Sequence, residues 1–217
     1  MTASENNLKL YNYVQNLFEE TVEAETIWSD KSIWSAGAGW ENKLSFDIMT
    51  VKNTPNKGVT TYITSGLSEY ELKDDQNNKP SRRVEFISVL KDNTDFQKLT
   101  GDPSDEISFY KDNLMYLCCY MVNESSYVFP GDVWNGFFTN SYQKFSKLEH
   151  LFFMHPKLIT DKFQPFMTDD KEIEMLLCVP ITQKELDYYQ RNGPEALEKL
   201  LVDSKVDISN LFRKSLI

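Results

Sequence analysis

Histidine is nearly absent from this chain, at two residues in 217, and cysteine is scarce, at three. The histidines, His150 and His155, both fall in "KLEHLFFMHP". If that run is a strand, their odd separation sends them to opposite faces, and they cannot share a metal ion. Cys118 and Cys119 are immediate neighbours and Cys178 stands alone, so no C-x-x-C pair and no disulfide framework results. Reduced, buried thiols are expected. Glycine is sparse, at eight residues, and none of it builds a phosphate-cradling loop. "TSGLSE" sets serines beside a glycine without the G-x-S-x-G order of a nucleophile elbow, which makes Ser65 and Ser68 poor nucleophiles. Long apolar runs are missing as well. "HLFFM" and "EMLLCVPI" fall far short of the ~20 residues of a membrane span, and the first residues carry no basic and apolar leader. The chain is therefore expected to be soluble and cytoplasmic, with no metal and no cofactor.

Basic residues are outnumbered, 23 against 33 acidic, for a formal net charge of −10 and a pI near 4.8. That charge repels a phosphate backbone and an anionic membrane surface. Neither nucleic acid nor membrane is expected as a partner, whereas a basic protein is compatible. The hydrophobic share, 41% of a 25.3 kDa chain, suffices for a sizeable core in a single domain over residues 1–217.

Periodicity supplies the elements. Within residues 1–24, Leu8, Tyr11, Val14, Leu17 and Phe18 mark one face of a helix over Glu5 to Val22, with Glu19, Glu20 and Glu23 on its polar side. "KLSFDIMTVKN" alternates Phe46 and Ile48 against Asp47, Met49 and Val51, and the turn "NTPNKG" closes it. A second strand ends near Ser65. In "RRVEFISVLK" a third sets Val84 and Phe86 against Glu85 and Ile87. Strands joined by loops suggest an antiparallel or mixed sheet. Asp102 and Pro103 then cap a long helix over Asp105 to Val122 whose buried stripe includes Tyr110, Leu114, Leu117, Cys118 and Met121. "KLEHLFFMHP" and "EIEMLLCVPI" are further strands, with "FQPFMTDD" between them as a short strand or loop.

The stretch "CVPITQKELDYYQRNGPEALEKLL" is dense in helix signals. Thr182 and Glu185 have capping-box spacing, and Ile181 and Leu186 occupy the staple positions, so a helix is predicted from Gln183. It should stop at Gly193 in a left-handed C′ conformation, with Pro194 opening another helix that buries Leu197, Leu200 and Leu201. A third short helix is expected after Asp207, making 182–217 a helical end. The functional weight of Thr182, Glu185, Gly193 and Pro194 is structural.

Chemistry has few carriers. Carboxylates are too numerous for any one pair to be informative. Glu85 is distinctive, flanked by apolar residues: either the polar side of a half-solvated strand or a buried carboxylate that receives a partner's cation. "WSDKSIWSAGAGW" clusters Trp28, Trp34 and Trp40, equally suited to a core or to a binding surface.

Taken in order, "TYITSGLSEYEL", "RRVEFISVL" and "CVPITQKELDYYQRNGPEALEKLL" resemble the suppressor-of-fused domain family over Thr61 to Leu201. The resemblance implies an α/β fold of α+β type, with a mixed, curved sheet packed by helices, and a non-enzymatic role. Its single-domain bacterial members imply an immunity protein or antitoxin that binds and neutralises a cognate secreted toxin, a basic domain encoded nearby and in many cases a nuclease. The residues to test first, as the family's central motif, are Tyr62, Thr64, Ser65, Gly66, Leu67, Ser68, Glu69 and Glu85, with Gly66 also suited to a positive φ in a turn. A peptide-binding adaptor using an exposed sheet edge is the alternative, and a carboxylate hydrolase a more remote one.

Overall fold

The computed structural model describes residues 5–28, 44–74, 79–100, 107–124, 126–138, 147–168 and 171–217. The chain runs through α1 (Glu5–Phe18), β1 (Val22–Trp28), β2 (Ser45–Lys52), β3 (Val59–Ser65), a 3-10 turn (Leu67–Glu69), β4 (Leu72–Asp74) and β5 (Lys79–Lys91). It continues through α2 (Phe96–Thr100), α3 (Ile107–Asn123), β6 (Val133–Trp134), β7 (Leu148–Met154), β8 (Phe166–Met167), β9 (Glu172–Thr182), α4 (Gln183–Asn192) and α5 (Pro194–Asp203).

The strands join in one sheet of order β1-β2-β3-β5-β9-β7-β6, with β4 on β5 and β8 on β9. Neighbours are antiparallel except β5 and β9, which run parallel from Arg83 opposite Ile173 to Ile87 opposite Leu177. The sheet is mixed, as expected. Helices cover both faces. Phe46, Ile48, Val84, Phe86, Phe153 and Cys178 pack with the Tyr110, Leu114, Leu117 and Cys118 stripe of α3. Met49, Val51, Ile63, Ile87, Phe152 and Leu177 pack with Leu10 and Val14 of α1, Leu186 of α4, and Leu197 and Leu201 of α5. A strand between two such layers is buried along its whole length, and every residue of β3 is. The three thiols are buried in this interior and form no disulfide.

Four expectations are corrected. The N-terminal helix stops at Phe18, where Glu19 takes φ 57°, and Val22–Trp28 is a strand rather than a continuation. The helix buries Leu10 and leaves Leu8 56% exposed. Gly193 has positive φ, but at φ 87° and ψ 169° it lies outside the left-handed helical region, serving both as the end of α4 and the cap of α5. Beyond Asp203 the chain forms turns, not a third helix. Ile208 and Leu211 are buried, but Ser209 Oγ donates to Asp207 at 2.6 Å and Asn210 accepts the Phe212 amide at 3.0 Å. Such local side-chain bonds compete with helix formation. Trp34, Trp40 and the Asp102–Pro103 cap lie outside the described residues.

Candidate functional site

The central motif builds one buried joint. The β3–β5 ladder ends with Ile63 opposite Ile87. At the next position Thr64 Oγ1 accepts the Phe86 amide at 2.8 Å and donates to Glu85 Oε2 at 2.6 Å. Glu85 Oε1 accepts the Gly66 amide at 2.8 Å, the Ser68 amide at 2.9 Å and the Ser68 hydroxyl at 2.7 Å. The carboxyl thus supplies the acceptors that a neighbouring strand would have offered, and it holds the 3-10 turn against β5. Gly66, at φ 113°, makes that turn accessible to the chain. After it, β4 resumes antiparallel pairing with β5 at Leu72 opposite Arg82.

Burial pushes the Glu85 carboxyl above its ordinary range, against the opposing pull of the Thr64, Ser68 and Gly66 bonds. With no exposed surface, it is not placed to receive a partner's cation directly. The same holds for most of the motif: Tyr62, Thr64, Ser65, Leu67 and Ser68 are buried, the Tyr62 ring lying 5.8 Å from that of Tyr110. Burial, chiefly, pushes the Tyr62 hydroxyl up to about 12. Only Glu69 is exposed and Gly66 partly so.

Ser68 and Glu69 hold two residues of a groove's lining. Arg83 Nη1 donates to the carbonyls of Ser68 at 2.8 Å and Glu69 at 2.9 Å, and Lys171 Nζ meets Glu69 Oε2 at 3.2 Å. Beside them opens a groove of about 490 Å³, lined by Arg82, Arg83, Lys171, Glu71, Glu172 and Glu174, with Ser81 and Pro165. Three cations face three anions, so the groove is locally balanced on a strongly acidic chain. Arg82 pairs with Glu174 and lies 4.7 Å over the Phe129 ring. Glu71 bonds Ser81 and pairs with Lys73, which together hold its carboxyl below the usual range. Met167, 63% exposed, stands across the β8–β9 pair from Glu172, a lining residue. Nothing in the linear sequence marked this groove, because its walls come from 71–83 and 165–174.

The histidines separate, though not as opposite faces of one strand, because β7 ends at Met154. His150 is buried, its Nδ1 accepting the Gly136 amide at 2.9 Å and its Nε2 lying 3.1 Å from Gln183 Oε1. His155 lies past the end of β7, exposed, 3.8 Å from Glu174 in a neighbouring cavity of about 450 Å³. Among the described residues no group of three or more His, Cys, Asp or Glu could hold a metal ion. Of the groove's acids, Glu71 is set against Ser81 and Lys73, and Glu174 against Arg82.

The predicted capping box is present in full. Thr182 Oγ1 accepts the Glu185 amide at 3.3 Å and Glu185 Oε2 accepts the Thr182 amide at 2.8 Å. Glu185 does more than its spacing announced. Its carboxylate is buried against Arg213, and Oε1 also accepts the Leu216 amide at 3.1 Å. Burial alone would push its carboxyl up, but Arg213 and those amides outweigh it and hold it below the usual range. Pro194 opens α5 as expected.

Comparison with known proteins agrees with this architecture. The family model described as suppressor of fused protein matches residues 42–214. The immunity protein YqcF of Bacillus subtilis (strain 168) is 24% identical over 174 residues, covering 80% of this chain and 82% of the relative. Among solved structures, a suppressor of fused homologue from Neisseria gonorrhoeae FA 1090 superposes with TM-score 0.63 at 15% identity, over 99% of this chain and 98% of that one. The Sufu–Fu complex gives 0.66 at 13%, over 97% and 92%. Drosophila Suppressor of Fused gives 0.62 at 14%, over 97% of this chain and 51% of that one. A sheet with helices on both faces, the Thr64–Glu85 joint and a family match over most of the length lead to one conclusion: the chain belongs to the suppressor of fused protein family.

Proposed function

We propose that this chain is a non-enzymatic binding protein of immunity type, which neutralises a cognate toxin in the cytoplasm by occupying its surface rather than by turnover. The observation that carries the reading is that Thr64, Gly66, Ser68 and Glu85 are consumed in fixing one turn, and that Glu69 at its outer side holds Arg83 and Lys171, two of the residues that line a charged groove. The motif thus acts through the surface it shapes. The immunity-type name of a relative covering most of the chain points the same way. The net charge of −10 would speed encounter with a basic toxin domain. The groove, locally balanced, would supply fit rather than steering.

The test is co-expression with the toxin domain encoded by the adjoining reading frame. Protection of the cells and co-purification are expected. An unprotected culture, with no complex at low salt, overturns the reading.

A peptide-binding adaptor is the second reading, favoured by β1, which ends the strand order and exposes Glu23 and Glu25. It would bind an extended basic segment irrespective of toxin genes, a difference that a pull-down with the adjoining gene product reveals.

A further inference from the structure

The groove's cations are not equivalent. Arg82 is committed twice, to Glu174 and to the Phe129 ring, and Lys171 is committed to Glu69. Arg83 is different: it lines the groove, its Nη1 is anchored by two main-chain carbonyls, and it makes no ion pair among the described residues. A guanidinium carries five N–H donors in a planar fork, and carbonyl anchoring neutralises none of its charge. The side chain is therefore already oriented along a concave surface, near enough to Glu71 to help lower its carboxyl but in a salt bridge with none of the groove's acids. An incoming carboxylate finds a preorganised fork and loses little entropy in meeting it. Met167, exposed and in register with Glu172 of the groove wall, offers an adaptable apolar contact across β9 from that fork.

We propose that Arg83 receives an acidic side chain of the protein partner, and that the partner segment entering the groove carries an Asp or Glu flanked by an apolar residue that covers Met167. The inference rests on the binding reading above and deepens it: a toxin domain that is basic as a whole presents a locally acidic point here, and the groove selects for it.

The experiment measures affinity of the adjoining frame's toxin domain, catalytically inactivated, for the wild-type chain and for Arg83→Glu, Arg83→Lys and Met167→Ser, each checked for unchanged thermal unfolding. Arg83→Glu is expected to weaken binding at least 100-fold, and Arg83→Lys about 10-fold, because the point charge lacks the fork. Met167→Ser should cost several-fold. Arg83 also anchors the turn, so a second measurement separates recognition from shape: reversing each partner Asp or Glu in turn to Lys should restore Arg83→Glu at one position. Binding of Arg83→Glu within threefold of wild type overturns the inference while leaving the immunity reading intact. A loss that no partner reversal restores overturns it as well. Absence of any complex with the wild-type chain overturns both.

Discussion

Arg213 and Glu185 face each other as two parallel hydrogen bonds, Nη1 to Oε1 at 2.7 Å and Nη2 to Oε2 at 2.8 Å, with the arginine side chain 6% exposed and the glutamate fully buried. Arg213 Nη2 also donates to the Pro180 carbonyl at 2.7 Å. The residue that caps α4 therefore ties the last turns of the chain to the end of β9. Removing one partner strands a buried charge, so Arg213→Met should destabilise by about 3–5 kcal/mol, whereas Arg213→Met with Glu185→Leu should cost much less than the sum. Urea unfolding of the two singles and the double gives this coupling.

The same pair fixes a pH dependence. Glu185 has a lowered carboxyl in the folded state, so its contribution is present above the unfolded carboxylate range and is lost as pH falls through the lower folded value. Acid titration of stability should show this loss in wild type, and Glu185→Gln should lack it.

Glu85 has the opposite sign. Its folded carboxyl is raised, so the folded state holds the proton more tightly, and its contribution is largest at low pH and declines as pH rises through the folded value. Glu85→Gln, which keeps an acceptor for the Gly66 and Ser68 amides, should be mild and should gain on wild type as pH rises. Glu85→Leu orphans those amides at about 1–3 kcal/mol each and should lose cooperative unfolding near neutrality. Denaturation midpoints followed upward from about pH 4, near the ordinary carboxylate range, decide it.

At the helix corner, Thr182→Ala should cost about 1 kcal/mol through the lost cap. Gly193→Val should cost about 1–3 kcal/mol, because a Cβ there meets only Glu195 Oε2 at 3.5 Å and the strain resides in the φ of 87°. Partner affinity of the folded fraction should be unchanged in both. A binding loss without destabilisation would relocate the site to this corner.

His150 accepts at Nδ1, so its proton sits on Nε2 facing Gln183, which in turn donates to Asp187 at 2.7 Å. Burial lowers its basicity, with Glu149, Gln183 and Asp187 opposing. The unfolded chain takes up the proton first as pH drops through about 6.5, so stability falls below that point and levels off below the folded value. The stability gap between wild type and His150→Gln should narrow between pH 7.5 and 5, a span of about 2.5 units around that value.

Much of the fold was legible because it follows local rules. Alternation placed Phe46 and Ile48 opposite Met49 and Val51, and the Thr182–Glu185 spacing located α4 to the residue. β1 was hidden because Glu23 and Glu25, exposed on an edge strand, continue the acidic face that a helix would also show. β6 is two residues long and carries no period. Glu185 announced its capping role but not its second one, since Arg213 is distant in sequence. The motif residues were identified, yet their burial was not: a glycine and serines in a turn read as surface, and only the four bonds converging on Glu85 explain why they face inward. The groove needed tertiary structure, as no linear pattern joins Arg83 to Lys171.

The parallel β5–β9 pair in the middle of the sheet also sets an order of events in synthesis. β1, β2, β3 and β5 can form an antiparallel meander while the chain is still emerging, but the other edge of β5 waits for β9, which lies far downstream. Until then a strand with Val84, Phe86, Ile87 and Val89 exposes both apolar side chains and unpaired amides, the condition in which nascent chains pair with the wrong neighbour. Such long-range closure is slow relative to the local meander. A chain cut anywhere before Thr182 should accumulate as aggregate rather than as a smaller folded protein, which makes the yield of soluble product a sensitive readout of how completely the ribosome has finished.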